Sequence, residues 1–460
     1  MSNHLALLAD GLARFASRPA VVAGAAVTTY ADLADRRSRW IQEFTARGVA
    51  AGEPVGLATG FQADAIAALL ALFELRAVAV MLAPDAPHLE ARCRDARARR
   101  LYRFEAGTGE DDGVNEQLIE QRQPHDKEVA ADALLDELRS RRHGGFVVFS
   151  SGSSGDPKAV LHDAEAFCTH LAGVAKAKST IALLALDHIA GIDTLLYTLF
   201  AGGCLVVPSA RSPEAVCRAI AASRAQVLPA SPSFLRLLLL SRAHEAHDLS
   251  SLEIITFGSE PPDPATSATL AQCLPGVTLL QKYGTSEFGA PRSRTRADDP
   301  SWIRIDSPNC EVKVVDDVLW VRASGTMLGY LNRSGAGHPA ADEGWYCTDD
   351  RVQQDGPWLR VLGRESDLIN VGGEKVFPAE VERCIESLPE VIECAVSGEP
   401  NDLMGNVVVA RVRLNPDSDC ANPKALVRKH ARAHLPRHAV PVRVIVTDES
   451  LTSVRGKRLR

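Results

Sequence analysis

The residues best suited to bind an anion lie at positions 146–160, where a hydrophobic run leads into a loop of serines and glycines that ends at Lys158. Gly152 and Gly155 lack a Cβ, so the backbone can turn tightly and direct N–H groups at an anion, while serine hydroxyls and the lysine add further donors. The spacing is not that of a Walker loop, because two residues separate the glycines and Pro157 precedes the lysine. The loop therefore predicts a nucleotide triphosphate site unlike that of a P-loop kinase or GTPase. Taken alone, it fits a flexible surface connection equally well.

Four more motifs follow the loop: YGTSE at 283–287, YCTDD at 346–350, GRESDLINVGGEKVFPAEVE at 363–382 and GKRLR at 456–460. None is specific by itself. An isolated Tyr283 fits a half-buried aromatic residue, and an Asp350–Arg364 pair fits a surface ion pair of small energetic value. An isolated Lys457 fits a disordered tail. The motifs become informative through their order and separation.

Together the five motifs resemble the acyl-adenylate-forming superfamily, which includes acyl-CoA and aryl-CoA ligases, the adenylation domains of nonribosomal peptide synthetases and beetle luciferases. The resemblance runs from about Thr28 to Arg460. It implies two steps: a carboxylate attacks the α-phosphate of ATP to give an acyl-adenylate and pyrophosphate, and a thiol then takes the acyl group. We expect no attached carrier domain beyond Lys457. The thiol would then be the phosphopantetheine of CoA or of a separate acyl carrier protein.

The resemblance also assigns the nucleotide-binding residues. The loop would hold the β- and γ-phosphates of ATP, and Glu287 would hold a magnesium ion, since a hard dication prefers carboxylate and phosphate oxygens. A turn and the YGTSE motif would form the adenine pocket and reach the α-phosphate. The residues so assigned are Ser150, Ser151, Gly152, Ser153, Ser154, Gly155 and Lys158 in the loop, Gly258, Ser259 and Glu260 in the turn, and Tyr283, Gly284, Thr285 and Ser286 in the motif.

Asp350 matches the family aspartate that accepts hydrogen bonds from the ribose hydroxyls, and Arg364 is its usual companion. Lys457 matches the catalytic lysine, which lies between the attacking carboxylate and the phosphate and offsets the repulsion of two anions as charge moves in the transition state. The sequence departs from the family at Asp349, where glycine is usual, and at the hinge residue Ser366, where aspartate or lysine is usual. The loop also has serines where threonines are common. Aspartate tolerates unusual backbone angles, but a second carboxylate beside the ribose is expected to weaken ATP binding.

The acid-binding pocket is less defined by sequence. His188 stands where relatives have a histidine or aromatic residue that gates the pocket, although a core histidine is the alternative. Asp187 and Asp193 lie nearby, but neither is in register with the aspartate that holds the substrate ammonium in amino-acid-activating relatives. The further pocket residues are Ser231, Phe234, Thr256 and Phe257.

These assignments predict an aromatic or a medium- or long-chain carboxylic acid as substrate. A stand-alone amino-acid adenylation enzyme is one alternative. A non-catalytic relative that binds nucleotide or acyl groups is another, and Lys457, Glu287 and Asp350 argue against it because all three are present. An oxidative, light-emitting relative would share every motif, so only its products would distinguish it.

The elements that position these residues follow from hydrophobic periodicity. Residues 28–83 alternate between amphipathic helices and buried strands, a βαβ rhythm that predicts a parallel sheet covered by helices. A second block of the same kind occupies about 180–262. Residues 103–145 are polar and charge-rich, and we expect them to run over the surface. The loop then leaves a strand end, which is where open α/β sheets place their ligands.

The predicted fold class is α/β, with a large N-terminal domain of doubly wound βαβ subdomains at residues 1–363. A small, mobile α+β domain at 364–460 would carry Lys457. The boundary is expected within GRESD, residues 363–367. A rotation about Ser366 would then present two faces of the small domain to one site, one for each half-reaction.

Composition limits the partners. The chain has 460 residues and a net charge of -7, which gives no general attraction for nucleic acid, and no stretch could span a bilayer. The N-terminal residues lack the character of a signal peptide and predict an amphipathic helix. Ten cysteines without a Cys-x-x-Cys pair fit free thiols, mostly in the core, better than a disulfide framework or a zinc site. We therefore expect a cytoplasmic protein.

Overall fold

The computed structural model describes residues 4–104, 114–119, 127–151, 157–171, 176–258, 264–333, 343–416, 418 and 420–451. The protein is a mixed α/β fold with a large N-terminal domain and a smaller C-terminal domain, which confirms the predicted fold class. Two seven-stranded sheets and one six-stranded sheet precede a five-stranded sheet near the C-terminus.

The first part of the chain contains α1 (His4–Arg14), β1 (Pro19–Ala23), β2 (Ala26–Thr29), α2 (Tyr30–Ala46), β3 (Pro54–Ala58), α3 (Ala63–Glu74), β4 (Val78–Leu82), α4 (Leu89–Asp95), β5 (Arg100–Phe104), β6 (Val114–Leu118), α5 (Lys127–Arg141), β7 (Gly145–Ser151), β8 (Pro157–Asp163) and α6 (Ala164–Phe167). The next part contains β9 (Ser179–Ile181), α7 (Ile189–Phe200), β10 (Cys204–Val207), α8 (Pro213–Ser223), β11 (Val227–Ala230), α9 (Pro232–Leu240), α10 (Ala243–Ala246), β12 (Ile254–Phe257), α11 (Pro264–Cys273) and β13 (Thr278–Gln281).

The remaining elements are β14 (Ser293–Thr295), β15 (Ile303–Ile305), β16 (Cys310–Val315), β17 (Val318–Ala323), β18 (Gly329–Tyr330), β19 (Tyr346–Asp355), β20 (Trp358–Arg364), β21 (Ile369–Val371), β22 (Glu374–Val376), α12 (Pro378–Glu386), β23 (Val391–Asn401), β24 (Gly405–Leu414), α13 (Pro423–His434) and β25 (Arg443–Val446). Short 3-10 helices lie at Cys168–Leu171, Glu365–Asp367 and Arg437–Ala439.

Sheet I has the strand order β18-β8-β7-β4-β3-β5-β6, and its central strands β7, β4, β3 and β5 are parallel. Strand β4 shows that both faces are covered. Val78, Val80 and Leu82 join one buried cluster, while Ala79 and Met81, on the opposite face, join another. A continuous run of apolar residues is what a parallel strand buried on both faces requires. The predicted βαβ rhythm is confirmed here.

Sheet II has the order β13-β12-β11-β9-β10-β1-β2, and all of its strands except β2 run parallel. The carboxyl ends of neighbouring parallel strands meet at one edge of a sheet. The residues that follow β9, β11, β12 and β13 therefore lie along a common edge. These are the segments in which the sequence placed the acid pocket and the adenine-binding motifs.

A local sequence signal sets the start of α2. The hydroxyl of Thr29 accepts a hydrogen bond from the Asp32 amide (3.1 Å), and the Asp32 carboxylate accepts one from the Thr29 amide (2.8 Å). This capping box satisfies two N–H groups that the first turn of α2 leaves unpaired. The predicted N-terminal amphipathic helix is α1, which buries Leu8 and Leu12.

The prediction that residues 103–145 simply run over the surface was wrong for the part that the structure describes. Strand β6 pairs with β5 at the edge of sheet I, and α5 covers that sheet. Three side chains of α5, Leu134, Leu135 and Leu138, are buried. A few apolar residues at helical spacing are enough to anchor a helix. In the sequence they lie among many charged residues, so the segment was interpreted as a surface connection.

Sheet III, with the order β14-β15-β20-β19-β17-β16, is antiparallel throughout. Its strand β20 ends at Arg364, and a 3-10 helix at Glu365–Asp367 leads to β21, which belongs to the next sheet. Sheet IV contains β22, β21, β24 and β23 in that order, with β25 beside β24. Helices α12 and α13 pack on it around Val381, Ile385 and Val427.

All ten cysteines are free of disulfide bonds. Four are buried, four are partly buried and two are exposed; Cys204 and Cys310 are partly buried and pack against buried clusters, so six of the ten lie in or against the core. Among the residues that the structure describes, no helix is long and apolar enough to cross a membrane.

Candidate active site

The predicted phosphate loop joins two antiparallel strands. Strands β7 and β8 pair so that Ser150 lies opposite Lys158 and Ser151 lies opposite Pro157. Five residues lie between these strand ends and outside the described residues, and they include the predicted loop residues Gly152, Ser153, Ser154 and Gly155. The structure therefore shows the two strands that carry the loop, with Ser150 and Lys158 as direct cross-strand neighbours.

The segment after β18 fastens the start of β8. The side-chain amide of Asn332 donates to the carbonyl of Pro157 (2.8 Å), and its carbonyl oxygen accepts from the amide of Ala159 (2.9 Å). Lys158 lies between these two contacts. The backbone beside the lysine is thus held on both sides.

Lys158 and Glu287 meet at one tyrosine. The Lys158 Nζ lies 5.2 Å from the centre of the Tyr330 ring, within the range of a cation–π contact. The Tyr330 hydroxyl donates to Glu287 Oε1 at 3.1 Å. Burial raises the pKa of Tyr330 and of its neighbour Tyr346, and the charge of Glu287 raises both further. Both phenols therefore keep their protons beside the carboxylate.

The surroundings of Glu287 fit a magnesium ligand. Its side chain is almost fully buried, with 6% exposed, and it lies next to the strand ends that carry the phosphate loop. A carboxylate in that position can share a hard dication with phosphate oxygens. The nearby cations Lys158 and Arg364 would offset part of the negative charge of the triphosphate, together with the metal ion and not in its place.

The YGTSE motif folds into a tight loop that brings Glu287 inward. Thr285 and Gly289 exchange backbone hydrogen bonds of 3.2 and 3.0 Å, and the Thr285 hydroxyl accepts from the Glu287 amide at 3.2 Å. Gly284 is required here, because a Cβ at that position would lie 2.1 Å from the Gly289 carbonyl oxygen. The glycine of the motif therefore allows the backbone at position 284 to approach that at Gly289 closely.

A histidine that the sequence analysis did not select holds the carbonyl of Ser286. His162, on β8, is fully buried, and its Nε2 lies 2.7 Å from that carbonyl oxygen. Its ring stacks on Phe146, with the ring centres 4.9 Å apart. Burial lowers the pKa of His162 to about 4. The ring is therefore neutral near neutral pH and donates an N–H to Ser286, which links the phosphate-loop strand to the YGTSE motif.

Tyr283, Asp350 and Arg364 come together as one group, in which the tyrosine and the aspartate are buried and the arginine side chain is 39% exposed. The Tyr283 hydroxyl donates to Asp350 Oδ2 at 2.6 Å, and the Arg364 Nε lies 3.6 Å from Asp350 Oδ1. Asp350 and Arg364 are direct cross-strand partners on β19 and β20. The Asp350 amide donates to the Thr348 hydroxyl (3.1 Å), which fixes the backbone beside it.

Burial raises the pKa of Asp350 above its ordinary value, and the nearby charge of Asp349 raises it further, although Arg364 and the Tyr283 hydroxyl lower it. An ionised carboxylate accepts hydrogen bonds at both oxygens, as a ribose diol requires. The ionised form is lost as the pH falls through the raised pKa. Nucleotide binding should therefore weaken at a higher pH than an exposed aspartate would allow.

Replacing Tyr283 with phenylalanine should lower the free energy of unfolding by about 1–3 kcal/mol, because a buried acceptor loses its donor. The Asp350 pKa should rise further, so the acid limb of kcat/KM for ATP should move to higher pH. Urea unfolding and a pH profile measure these effects. Tyr102→Phe is the matched control, since it removes a hydroxyl–carboxylate contact to Glu116 (3.1 Å) remote in sequence from these motifs. An acid limb that moves equally in both variants would contradict the assignment.

The backbone conformation at position 349 explains why glycine is usual there. Its φ is 62°, in the left-handed region that costs most non-glycine residues energy and that aspartate tolerates better than most. Its carboxylate Oδ2 accepts a hydrogen bond from the Ser366 amide at 3.3 Å. The same residue thus places a second carboxylate beside Asp350 and contacts the predicted hinge.

Replacing Asp349 with asparagine should lower KM for ATP by roughly two- to fivefold, the scale of one partly exposed charge interaction. Asparagine also tolerates the left-handed conformation and can still accept from Ser366, so the change removes mainly the charge. The acid limb for ATP should move to lower pH, because Asp349 raises the Asp350 pKa. Asp349→Gly tests the hinge contact separately. An unchanged KM in the asparagine variant would show that the second carboxylate does not oppose ATP binding.

The candidate pocket residues lie at the carboxyl edge of sheet II. Ser231 follows β11, Gly258 follows β12, and these two strands are parallel neighbours. The Ser231 hydroxyl accepts from the Phe234 amide at 3.1 Å and so caps α9. On β12, Phe257 is 2% exposed and packs in the core, whereas Thr256 is half-buried on the other face. The assignment of these residues to the acid pocket stays a prediction.

His188 occupies the start of α7, at the same edge of the sheet. Its Nδ1 accepts from the Ala190 amide at 3.3 Å, so the ring caps the helix, and the side chain is half-buried. Gly191 permits the close approach of the preceding turn, since a Cβ there would lie 2.0 Å from the Ala185 carbonyl oxygen. The capping role accounts for the orientation of the ring, and the gating role stays a prediction.

Asp193, on α7, is paired within the protein. Its Oδ1 lies 2.7 Å from His170 Nε2, and its Oδ2 lies 3.6 Å from Lys282 Nζ. Burial alone would raise the pKa of Asp193, but Lys282 and His170 outweigh burial, and the pKa lies below its ordinary value. The carboxylate is thus already compensated by protein groups, which leaves little charge to attract a substrate ammonium.

Of the remaining predicted residues, Ser259, Glu260 and Lys457 lie outside the described residues. The structure adds four residues that the sequence reasoning did not identify: His162, Tyr330, Asn332 and Tyr346. Only a weak signal in the sequence points to them. Tyr330 and Asn332 are two residues apart at the end of the short strand β18, where no longer pattern surrounds them. His162 lies within an apolar strand, where a core histidine is the ordinary interpretation.

The comparisons with known proteins agree with this geometry. A family profile described as "AMP-binding enzyme" matches residues 8–331, and one described as "AMP-binding enzyme C-terminal domain" matches residues 380–457. A 2-succinylbenzoate–CoA ligase of Geobacillus kaustophilus is 27% identical over 96% of this chain and 94% of its own length. An indoleacetate–CoA ligase of Aromatoleum aromaticum is 27% identical over 68% of this chain and 65% of its own length.

Solved structures share the fold. The anthranilate CoA ligase AuaEII in complex with anthranoyl-AMP superimposes with a TM-score of 0.82, at 21% identity over 100% of this chain and 96% of that one. The o-succinylbenzoate CoA synthetase MenE from Bacillus subtilis, in complex with its acyl-adenylate intermediate, gives a TM-score of 0.76 at 21% identity over 99% and 96% of the two chains.

Proposed function

The chain belongs to the AMP-binding enzyme family, and from that premise we propose that it activates an aromatic carboxylic acid with ATP and transfers the acyl group to CoA. It is an acid–thiol ligase that forms AMP. The observation that carries the proposal is the Tyr283–Asp350–Arg364 group beside the Lys158–Tyr330–Glu287 contacts. These groups combine an acceptor for a diol, cations for phosphates and a carboxylate for a metal.

The protein's residues divide the first step between them. Asp350 would accept hydrogen bonds from the ribose hydroxyls, with Arg364 keeping it ionised. Lys158 and Ser150 would hold the outgoing phosphates, and Glu287 would hold Mg²⁺. When bound, the ion neutralises charge on the phosphates and makes pyrophosphate a better leaving group. Lys457 would lie between the acid and the α-phosphate and stabilise the charge that develops there.

Two observations support an acid without an α-amino group and with an aromatic ring. Asp193 is paired with His170 and Lys282, so it offers a poor partner for a substrate ammonium. The names of the two curated relatives, a 2-succinylbenzoate–CoA ligase and an indoleacetate–CoA ligase, are those of enzymes for aromatic acids. His188, Ser231, Phe234, Thr256 and Phe257 are the residues proposed to bind the acid.

CoA is proposed as the acceptor because the curated relatives are CoA ligases. A separate acyl carrier protein would present the same phosphopantetheine thiol and is the second candidate. We also propose that the chain turns between domains at residues 363–367, with Ser366 as the pivot, where the backbone passes from sheet III to sheet IV. Ten unpaired thiols support a reducing, cytoplasmic location.

The substrate proposal is tested with a panel of aryl, fatty and amino acids, each incubated with ATP, Mg²⁺ and CoA. Mass spectrometry then identifies the thioesters formed. Aryl acids should give the highest kcat/KM, and a parallel reaction with a phosphopantetheinylated carrier protein should be slower. Preference for amino acids would contradict the role given to Asp193, and preference for the carrier protein would replace CoA as the acceptor.

A further inference from the structure

One cysteine and two histidines form a cluster on the C-terminal domain, separate from the residues assigned to ATP and the acid. Cys384 lies on α12, and His430 and His434 lie one turn apart on α13, which packs against α12. The Cys384 Sγ and one nitrogen of each ring all lie within 4.8 Å of one another. Cys384 and His430 are half-buried and His434 is exposed. No residue of this cluster has a role in the proposed reaction.

Hydrogen bonds fix which ring nitrogens carry protons. His434 Nδ1 lies 2.9 Å from the His430 carbonyl oxygen, which can only accept, so Nδ1 carries the proton and Nε2 keeps its lone pair. The Ser387 hydroxyl donates to the Cys384 carbonyl (2.7 Å), so its oxygen accepts from His430 Nε2 at 2.8 Å. His430 then keeps its lone pair on Nδ1. Metal-binding histidines are oriented in the same way, by donating the other N–H to a carbonyl or another polar group.

A nearby carboxylate adds negative charge. Within the described part of the chain, the Glu390 Oε2 is buried without a hydrogen-bond partner. Glu390 lies close enough to His430 to raise its pKa, although burial and the charge of His434 lower that pKa overall. A buried carboxylate beside these three side chains favours a cation in their midst.

We propose that Cys384, His430 and His434 form a binding site for a divalent transition metal, with Zn²⁺ as the expected ion and water as the fourth ligand. One thiolate and two imidazoles are a ligand set that Zn²⁺ prefers and that Mg²⁺ and Ca²⁺ do not. Metal–ligand bonds of about 2.0–2.3 Å require ligand separations of roughly 3.3–3.8 Å in a tetrahedral site. The exposed His434 can supply the needed movement by changing rotamer. On binding, the Cys384 S–H bond breaks, an S–metal bond forms and the proton passes to solvent.

The sequence alone disfavoured such a site, because it contains no Cys-x-x-Cys pair. The structure assembles the ligands from two helices instead, with only the two histidines at the spacing of one helical turn. Ser387, which orients His430, is followed by Leu388, whose carbonyl accepts from Arg236 of α9 at 3.2 Å. An ion would thus fasten α12 to α13 beside a contact with the large domain, and it should raise the thermal stability of the protein.

Cobalt titration tests the proposal on the full-length protein after treatment with a chelator. Co²⁺ should give a thiolate-to-metal charge-transfer band and the strong visible absorption of a four-coordinate site, and one equivalent of Zn²⁺ should remove both. Each ion bound should release one proton in a weakly buffered solution. Cys384→Ser should abolish the charge-transfer band. His434→Gln should weaken Zn²⁺ binding by more than about a hundredfold, since loss of a partner that does not touch the metal already costs 10–100-fold.

Cys273→Ser is the matched control, because it removes an exposed thiol that has no histidine cluster assigned to it. It should bind Co²⁺ and Zn²⁺ like the wild type. Three results would overturn the proposal: no charge-transfer band in the wild type, a band that persists in Cys384→Ser, or unchanged Zn²⁺ affinity in His434→Gln. His434 is exposed, so the His434→Gln variant should fold. It therefore tests the proposal even if the Cys384→Ser variant does not fold.

Discussion

Replacing Lys457 with alanine is expected to lower acyl-adenylate formation by about a hundred- to a thousandfold, the cost of removing one preorganised group that stabilises developing charge. The acid and the triphosphate are both anions, and their reacting atoms approach only if a cation offsets the repulsion. Lys457 lies outside the described residues, and the family match extends to residue 457. Acid-dependent pyrophosphate release measures this first step.

The second step separates the proposed role from general damage. Transfer from a supplied acyl-adenylate to CoA should survive in Lys457→Ala, because no phosphate is attacked in that step. Arg458→Ala removes the neighbouring cation and serves as the control, with both half-reactions near normal. If the two half-reactions fell equally in a folded Lys457→Ala protein, Lys457 would not be the adenylation cation.

Replacing Glu287 with glutamine should lower adenylation by roughly a hundredfold, since a metal ion contributes several kcal/mol of charge stabilisation and an amide binds it poorly. Glutamine keeps the size of the side chain and can still accept from the Tyr330 hydroxyl, which now lies 3.1 Å from Glu287 Oε1. The Mg²⁺ concentration that gives half-maximal velocity should rise. Initial rates over a range of Mg²⁺ concentrations measure both effects.

Tyr330→Phe provides the matched comparison for Glu287. It removes the hydroxyl but keeps the carboxylate and the ring that Lys158 faces. We expect a loss of about tenfold, the value of one hydrogen bond to a charged group, with little change in the Mg²⁺ dependence. The same Mg²⁺ dependence in Glu287→Gln as in the wild type would contradict the role of Glu287 as a metal ligand.

Much of the fold was predictable because its signals are local. The capping box of Thr29 and Asp32 and the buried run of β4 are each contained in a short segment of sequence. The pairing of Asp350 with Arg364 was also expected, through family resemblance, and the structure places them opposite each other on adjacent strands. Asp349 was expected to tolerate a turn that usually needs glycine, and its φ is positive.

The features that the sequence did not reveal depend on contacts between distant segments. Tyr330 contacts both Lys158 and Glu287 because β18 pairs with β8. His162, on β8, contacts the Ser286 carbonyl, which belongs to the YGTSE motif far along the chain. Asp193 contacts His170 and Lys282, which are distant from it in sequence, so its pairing could not be read from its own segment. The apolar residues of α5 are few and lie among charged residues, which weakened the helical pattern. The Cys384 cluster belongs to the same class, since its ligands come from two helices.

The central claim is that this protein activates a carboxylic acid by adenylation. The most direct test incubates it with ATP, Mg²⁺, CoA and an accepted aryl acid, and quantifies every nucleotide product by chromatography. AMP, pyrophosphate and acyl-CoA should appear in equal amounts, and no AMP should form without the acid. Formation of ADP and phosphate, or nucleotide turnover that does not depend on the acid, would contradict it.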